Sequence, residues 1–418
     1  MVTVRPPSTA PYVVAFLFVL LSQAITVPLC LLTHKLKRPV VYVALGLVAA
    51  GAGLYFPGLL ANVVVNHGFG TPSDCLLGRF CGATTYAFVA LRFFGAAVGA
   101  TPKGADAEAK TWITFATGAL DIIFEADGKP SRPNAGAIPK CVGCILLRIA
   151  GLSVCSSLSE PFSGYPATAL FASEESGVIV RALCTYVDHI YIQLMILYLF
   201  LSLLMDVGSL LLLTQGFVPI QGFANPIFRS TSARIFWGKR WNLQVTASFK
   251  RCVFTPLHKT LGAPPVLAAL VTFISSGLFH EYQVRRLARG WHAIGTRLPR
   301  GCHATATRLP CDCHRAACHV IGICLPPDRL FHACQFVLSF PSYRLGRASF
   351  FFLLHGLFCT IDALFSRVAA ESLKPVPWQL KALAVPILYS PTVPLFANIW
   401  MEEGFFALIA RLGFLVTP

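Results

Sequence analysis

The chain has 418 residues, 55% of them hydrophobic and 12% charged, with a mean hydropathy of +0.66. Soluble domains carry about 25% charged residues, so half that fraction over this length excludes a soluble globular protein and predicts an all-α, multi-pass integral membrane protein. The formal net charge of +16 fits basic cytoplasmic loops and contact with anionic headgroups or anionic cofactors, and no aromatic-interleaved basic domain points to nucleic acid.

Residues 11–32 are mostly apolar, about 33 Å as a helix, which crosses a bilayer. The run is too long for a signal-peptide core, and His34-Lys35-Leu36-Lys37-Arg38 follows it as a cytoplasmic stop, so it reads as a retained first span. Residues 40–65 are the second, with Gly51 and Gly53 as close-packing positions. Residues 81–98 are the third, weakened by Arg92. Residues 101–127 mix charge with Trp112, Phe115, Leu120 and Phe124 and predict an interfacial helix. A loop at 128–139, a short apolar segment at 141–158 interrupted by Arg148, and a polar loop at 159–175 come next. Residues 186–215 form the longest strong span, with Asp188 and His189 at its start and Asp206 inside it. Residues 237–259 are basic and amphipathic, suited to the cytoplasmic face, and 266–280 are the next span. Residues 348–365, 382–400 and 405–416 resume the apolar pattern and close the chain. The count is about eight transmembrane helices, within a range of seven to ten.

Between the last two groups the pattern breaks. Residues 284–347 hold ten Arg against two Asp, with six of the 15 Cys and five of the 11 His. The window carries an eleven-residue tandem repeat: HAIGTRLPRGC from His292, HATATRLPCDC from His303 and a decayed HRAACHVIGIC from His314. Each unit is too polar to bury a core, which predicts a low-complexity, disordered insertion. Cys311, Cys313, Cys318 and His319 have ligand chemistry, but their spacing lacks the paired knuckles of structural zinc sites, so no metal is expected. The chain then divides into N-terminal helices at 1–222, a motif-bearing core at 223–282, the insertion at 283–347 and C-terminal helices at 348–418.

Two polar side chains stand out in the motif-bearing core. Asn242 sits among aromatic and basic residues in Phe236-Trp237-Gly238-Lys239-Arg240-Trp241-Asn242, and His280 ends a mostly apolar run, with Glu281 behind it. An ionisable group at membrane depth is costly and is a functional-site candidate by default. The bland readings are an interfacial helix end for His280 and polar helix glue for Asn242.

FWGKRWN followed some forty residues later by SGLFHEY, with the lead-in Gly222-Phe223-Ala224-Asn225-Pro226, resembles the wax synthase branch of the membrane-bound O-acyltransferases. The likeness covers residues 190–282 and, less closely, 347–366. It implies transfer of a fatty acyl group from acyl-CoA to a long-chain alcohol or a sterol, in the endoplasmic reticulum membrane. It also implies catalytic roles for His280 and Asn242, with Trp237, Lys239, Arg240 and Trp241 as acyl-CoA-binding candidates. A neutral imidazole suits the proton transfer that esterification needs, and the thioester is already activated, so acyl-CoA is a co-substrate and no further cofactor is required. Lys239, Arg240, Lys250, Arg251 and Lys259 form a cation cluster suited to the phosphates of that co-substrate. His355 reads as a second active-site group or a satisfied packing histidine; Glu281 and Asp362 read as orienters of a histidine or as polar groups within helices. The expected partners are acyl-CoA, a lipid alcohol or sterol, and membrane lipids. A transporter or channel is the alternative from another class, although the halves show no symmetry. An inactive family member, its His280 helix disturbed by the insertion or by retained intron sequence, is the other.

Overall fold

The computed structural model describes residues 3–118, 120–158, 177, 180, 183–184, 186–187, 191–295, 346–372, 377–389, 392, 395–396 and 405–417. Helices α1 (Ala10–Leu36) and α2 (Pro39–Asn66) both pack against α3 (Cys75–Ala97), and α5 (Ala137–Ser157) packs against α6 (Ile192–Thr214). Among the described residues, six helices are long and apolar enough to cross a membrane: α1, α2, α3, α5, α6 and residues Arg347–Leu364 of a later helix. The protein is thus a helical, multi-pass membrane protein. A spanning segment must satisfy its own backbone hydrogen bonds, which is why apolar length becomes helix here.

The expected third span starts earlier, at Cys75, and is the most enclosed of the six. Tyr86, Val89 and Phe93 are fully buried, and a β-carbon at Gly78 would lie 2.8 Å from the Phe18 ring. Of the two glycines expected to allow close packing, Gly53 does so, since its β-carbon would lie 2.6 Å from Tyr86 Cβ, whereas Gly51 faces open space. The residue that weakened this span, Arg92, is buried and fully engaged. Its Nε and Nη2 donate to Asp121 Oδ1 at 3.2 and 3.1 Å, and its Nη1 donates to the carbonyls of Ala116 and Gly118 at 3.1 and 2.5 Å.

The interfacial helix expected over 101–127 is corrected. Only α4 (Ala109–Thr117) is helical there, and Trp112 is fully buried against α1, its Nε1 donating to Cys30 O at 3.0 Å and Thr33 Oγ1 at 2.9 Å. An apolar stripe looks the same in sequence whether lipid or protein covers it. Beyond α4 the chain turns back on residues 218–220, with Ile123 N donating to Val218 O at 2.8 Å and Ile220 N to Asp121 O at 2.9 Å.

Helix α8 is the 31-residue Pro265–Gly295, so the insertion expected from 284 begins as helix; Arg, Leu and Ala are all good helix formers. The rest of that window, with Cys311, Cys313, Cys318 and His319, lies outside the described residues, as do Asp188 and His189. Helix α9 (Arg347–Ser372) matches the expected span at 348–365. Of the two closing spans, the described part of 382–400 begins as α10 (Trp378–Tyr389), whereas 405–416 is only the short α11 (Phe405–Ala410) followed by a turn. Strand β1 (Thr3–Arg5) pairs antiparallel with β2 (Leu415–Thr417) in a two-stranded ribbon. Its period-two pattern is too short to read against an apolar background.

Burial alone would raise the Asp121 carboxyl, but Arg92 and Arg251 hold it below the ordinary carboxylate range. A carboxyl depressed on folding contributes stability that is fully present above about pH 4 and is lost as pH falls through its folded value. Thermal unfolding of detergent-extracted protein should therefore show a midpoint steady from neutral to about pH 5 that drops below about pH 4. Asp121→Asn should lose about 3–5 kcal/mol at neutral pH, as for a broken buried pair, and should flatten part of the acid-side drop. An equally steep drop in the variant would remove Asp121 as its source.

Candidate active site

The motif segment starts against α6. A β-carbon at Gly222 would run into the Met205 sulfur and lie 3.2 Å from its Cβ, so any side chain there would have to push Met205 aside. The lead-in then lies along residues 240–243: Ala224 N donates to Arg240 O at 3.0 Å, Leu243 N to Gly222 O at 2.8 Å and Arg240 Nη1 to Ala224 O at 2.7 Å. Trp241 fills the space between, stacked on Phe236 at 5.2 Å and edge-on to Phe223 at 5.3 Å.

The basic, amphipathic stretch at 237–259 is not one regular helix. A wide π-helical turn at Phe236–Arg240 precedes α7 (Leu243–Phe249), and further π-helical turns follow at Lys250–Phe254 and Pro256–Thr260. Asn242 makes the break, with φ 41° and ψ 62°, a left-handed conformation that asparagine tolerates better than most residues. Its Oδ1 accepts from Val245 N at 3.3 Å and so caps α7.

His280 stands on α8 with Nδ1 2.7 Å from Ser276 O. A carbonyl can only accept, so Nδ1 carries the hydrogen, and the neutral ring keeps its lone pair on Nε2. The ring stacks on Phe352 at 4.4 Å and meets Phe396 edge-on at 5.4 Å.

Helices α8 and α9 run antiparallel and close together. A β-carbon at Gly277 would lie 2.6 Å from Ser349 Cα, and one at Gly356 would lie 3.0 Å from Phe273 Cβ. Glu281 is buried and caps α9, its Oε1 accepting from Ala348 N at 2.9 Å and Ser349 N at 3.2 Å. Asp362 accepts from Arg234 N at 3.1 Å. The bonds of both carboxylates thus go to backbone N–H groups rather than to a histidine. His355 is satisfied on both sides: Trp237 Nε1 donates to its Nδ1 at 3.0 Å, and its Nε2 lies 3.0 Å from Thr392 Oγ1, which donates to Tyr389 O at 2.7 Å.

A cavity of 560 Å³ lies between the motif segment, α8 and α9. Trp237, Trp241, Asn242 and His280 all line it, so residues distant in sequence share one wall. Along α8 the wall runs from His280 back to Pro265, about 22 Å of helix axis. Lys239 and Arg240 are not on the wall; Lys239 is exposed, and Arg240 is bonded to Ala224. Of the other expected cations, Lys250 is on the wall and Arg251 is turned to Asp121. Arg234, which no sequence pattern marked, supplies a second exposed cation on the wall. Three threonines also line it: Thr246, Thr272 and Thr360 donate to Trp237 O, Ala268 O and Gly356 O at 3.1, 2.6 and 2.9 Å. With those hydrogens committed, the threonines have lone pairs left for a ligand's donor.

The profile of the membrane bound O-acyl transferase family matches residues 220–298. Among curated proteins of Arabidopsis thaliana, the chain is similar to acyltransferases named for sterol and long-chain-alcohol acceptors. Acyl-CoA--sterol O-acyltransferase 1 is 39% identical over 75 residues, covering 16% of this chain and 22% of the relative. Probable long-chain-alcohol O-fatty-acyltransferase 7 is 32% identical over 105 residues, 24% of this chain and 29% of the relative. Probable long-chain-alcohol O-fatty-acyltransferase 1 is 26% identical over 186 residues, 42% of this chain and 48% of the relative. The matched part therefore spans less than half the length of each of these relatives. It contains both Asn242 and His280, while the α9 wall of the cavity lies outside the family match.

Glu281→Gln keeps an acceptor for the two α9 N–H groups and should leave any measured activity of the site near wild type. Glu281→Ala should lower thermal stability by about 0.5–2 kcal/mol, the cost of losing a helix cap. A large activity loss in Glu281→Gln at unchanged stability would instead give this carboxylate a role in orienting His280.

Proposed function

We propose that the chain is an acyl-CoA-dependent O-acyltransferase of the endoplasmic reticulum membrane, esterifying a long-chain alcohol or a sterol. The observation that carries this reading is the meeting of Asn242 and an Nδ1-protonated His280 on one apolar cavity. His280 Nε2 takes the proton of the acceptor hydroxyl as its oxygen attacks the thioester carbonyl. A C–O bond forms, the C–S bond breaks, and the proton passes from the imidazolium to the departing thiolate. The Asn242 amide N–H donates to the oxyanion that develops in between, while its Oδ1 holds the cap of α7. Exposed Lys250 and Arg234 on the wall suit the phosphates of CoA, and the threonine lone pairs suit the hydroxyl of the acceptor.

The cavity volume lies within the range of small-molecule sites, about 300–1,000 Å³, and its apolar length along α8 favours a fatty chain. A transporter is not favoured, because the polar groups here converge on a base and an amide rather than on paired broken helices. The inactive reading loses its main support, since α8 continues as helix past His280 to Gly295.

Microsomes carrying the chain, given labelled acyl-CoA with a panel of alcohols and sterols, should form ester. His280→Ala should cost about 10²-fold or more in turnover, and retention of more than roughly a tenth would overturn its role as base. Asn242→Ala should cost about 10²–10³-fold in kcat. Lys250→Gln and Arg234→Gln should raise the apparent KM for acyl-CoA and its salt sensitivity with kcat kept.

A further inference from the structure

Asn242 is held in a left-handed conformation at the start of a seven-residue helix, and so short a helix is marginal alone. Something outside it must fix its place. The next residue but one, Gln244, is fully buried and reaches across to the loop after α4 with both ends of its amide. Its Oε1 accepts from Asp121 N at 2.7 Å, and its Nε2 donates to Asp121 Oδ1 at 3.2 Å. Asp121 Oδ1 also accepts from Arg92 of α3, and Oδ2 accepts from Arg251 of the π-helical turn that follows α7. The carboxylate therefore ties α3 to both ends of the segment that carries Asn242. The matched family segment begins after this anchor, since Asp121 and Arg92 precede residue 220.

We propose that Asp121, acting through Gln244, is a positioning residue for the acyl-transfer site: it sets α7 so that its cap, Asn242, presents its side chain to the cavity. This rests on the proposed role of Asn242. The amide pair gives a fixed register that one hydrogen bond would not, because both the backbone N–H and the carboxylate of a single residue are engaged. Neither residue touches the cavity, so substrate contacts stay in place when the pair is broken and only the developing oxyanion loses its donor.

The test is a double-mutant cycle in the microsomal assay. Gln244→Ala removes the amide and leaves the Arg92–Asp121–Arg251 charges balanced as before. We expect it to lower kcat at least about tenfold with the KM for acyl-CoA and acceptor within about twofold, at wild-type levels of extractable, monodisperse protein. Placed in Asn242→Ala, it should add less than about twofold, because the group it positions is already gone. Gln244→Glu is the second variant: it keeps the acceptor for Asp121 N–H but replaces the donor with a second carboxylate, and should show the same kcat-only loss. Equal fold losses in the wild-type and Asn242→Ala backgrounds would overturn the proposal, as would unchanged turnover in Gln244→Ala. Loss of extractable protein in both Gln244 variants would make the pair a folding element and overturn it too. Wild-type turnover in Asn242→Ala alone would instead sink the role of Asn242, a result that the single variant reports by itself.

Discussion

The antiparallel contact of α8 with α9 is the constraint on which the site depends. Two glycines, Gly277 and Gly356, bring the helices close enough that a β-carbon at the first would press on the Ser349 backbone. Glu281 then joins them end to side by accepting the first N–H groups of α9. In lipid there is little hydrophobic drive between helices, so small residues and buried hydrogen bonds must supply the specificity of the pairing. His280 sits between Gly277 and Glu281 in sequence, one residue before the cap. Its ring is therefore placed against Phe352 by the same contact that joins the helices.

The other wall is fixed differently. Residues 222–243 fold on themselves through backbone hydrogen bonds and a cluster of aromatic rings, with Trp241 at its centre. Buried charges then attach this unit to α3. Such a group of buried charges is costly unless every member is paired, and here Asp121 meets two guanidiniums and an amide. His355 belongs to the same kind of construction: it is bonded on both nitrogens, which leaves neither free for proton transfer, whereas His280 keeps one.

Much of this was legible in the sequence. Apolar runs of membrane length gave the long helices, and the two motifs marked Trp237, Trp241, Asn242 and His280, which share the cavity, along with Lys239, Arg240 and Glu281, which do not line it. Other parts were not, for physical reasons. Arg92 looked like a flaw in a span because sequence shows a charge but not its partner 29 residues away. Trp112 looked interfacial because amphipathicity fixes that one face is apolar, not what covers it. For Glu281 the sequence leaves open an orienter of a histidine or a polar group within a helix, because adjacency hides the direction of a helical side chain, and its partners are 67 and 68 residues on. The left-handed turn at Asn242 had no periodic signal, since it interrupts a pattern rather than making one.

The small ribbon of β1 and β2 carries a topological consequence. Thr3 faces Thr417 and Arg5 faces Leu415, so two segments more than 400 residues apart lie side by side. Strands that pair lie on one side of the bilayer, so residues 3–5 and 415–417 face the same compartment. The basic stretch after α1 marks that turn as cytoplasmic by the positive-inside rule, which puts the ribbon on the opposite side of the membrane. A glycosylation reporter fused at either end would then be read by the same compartment.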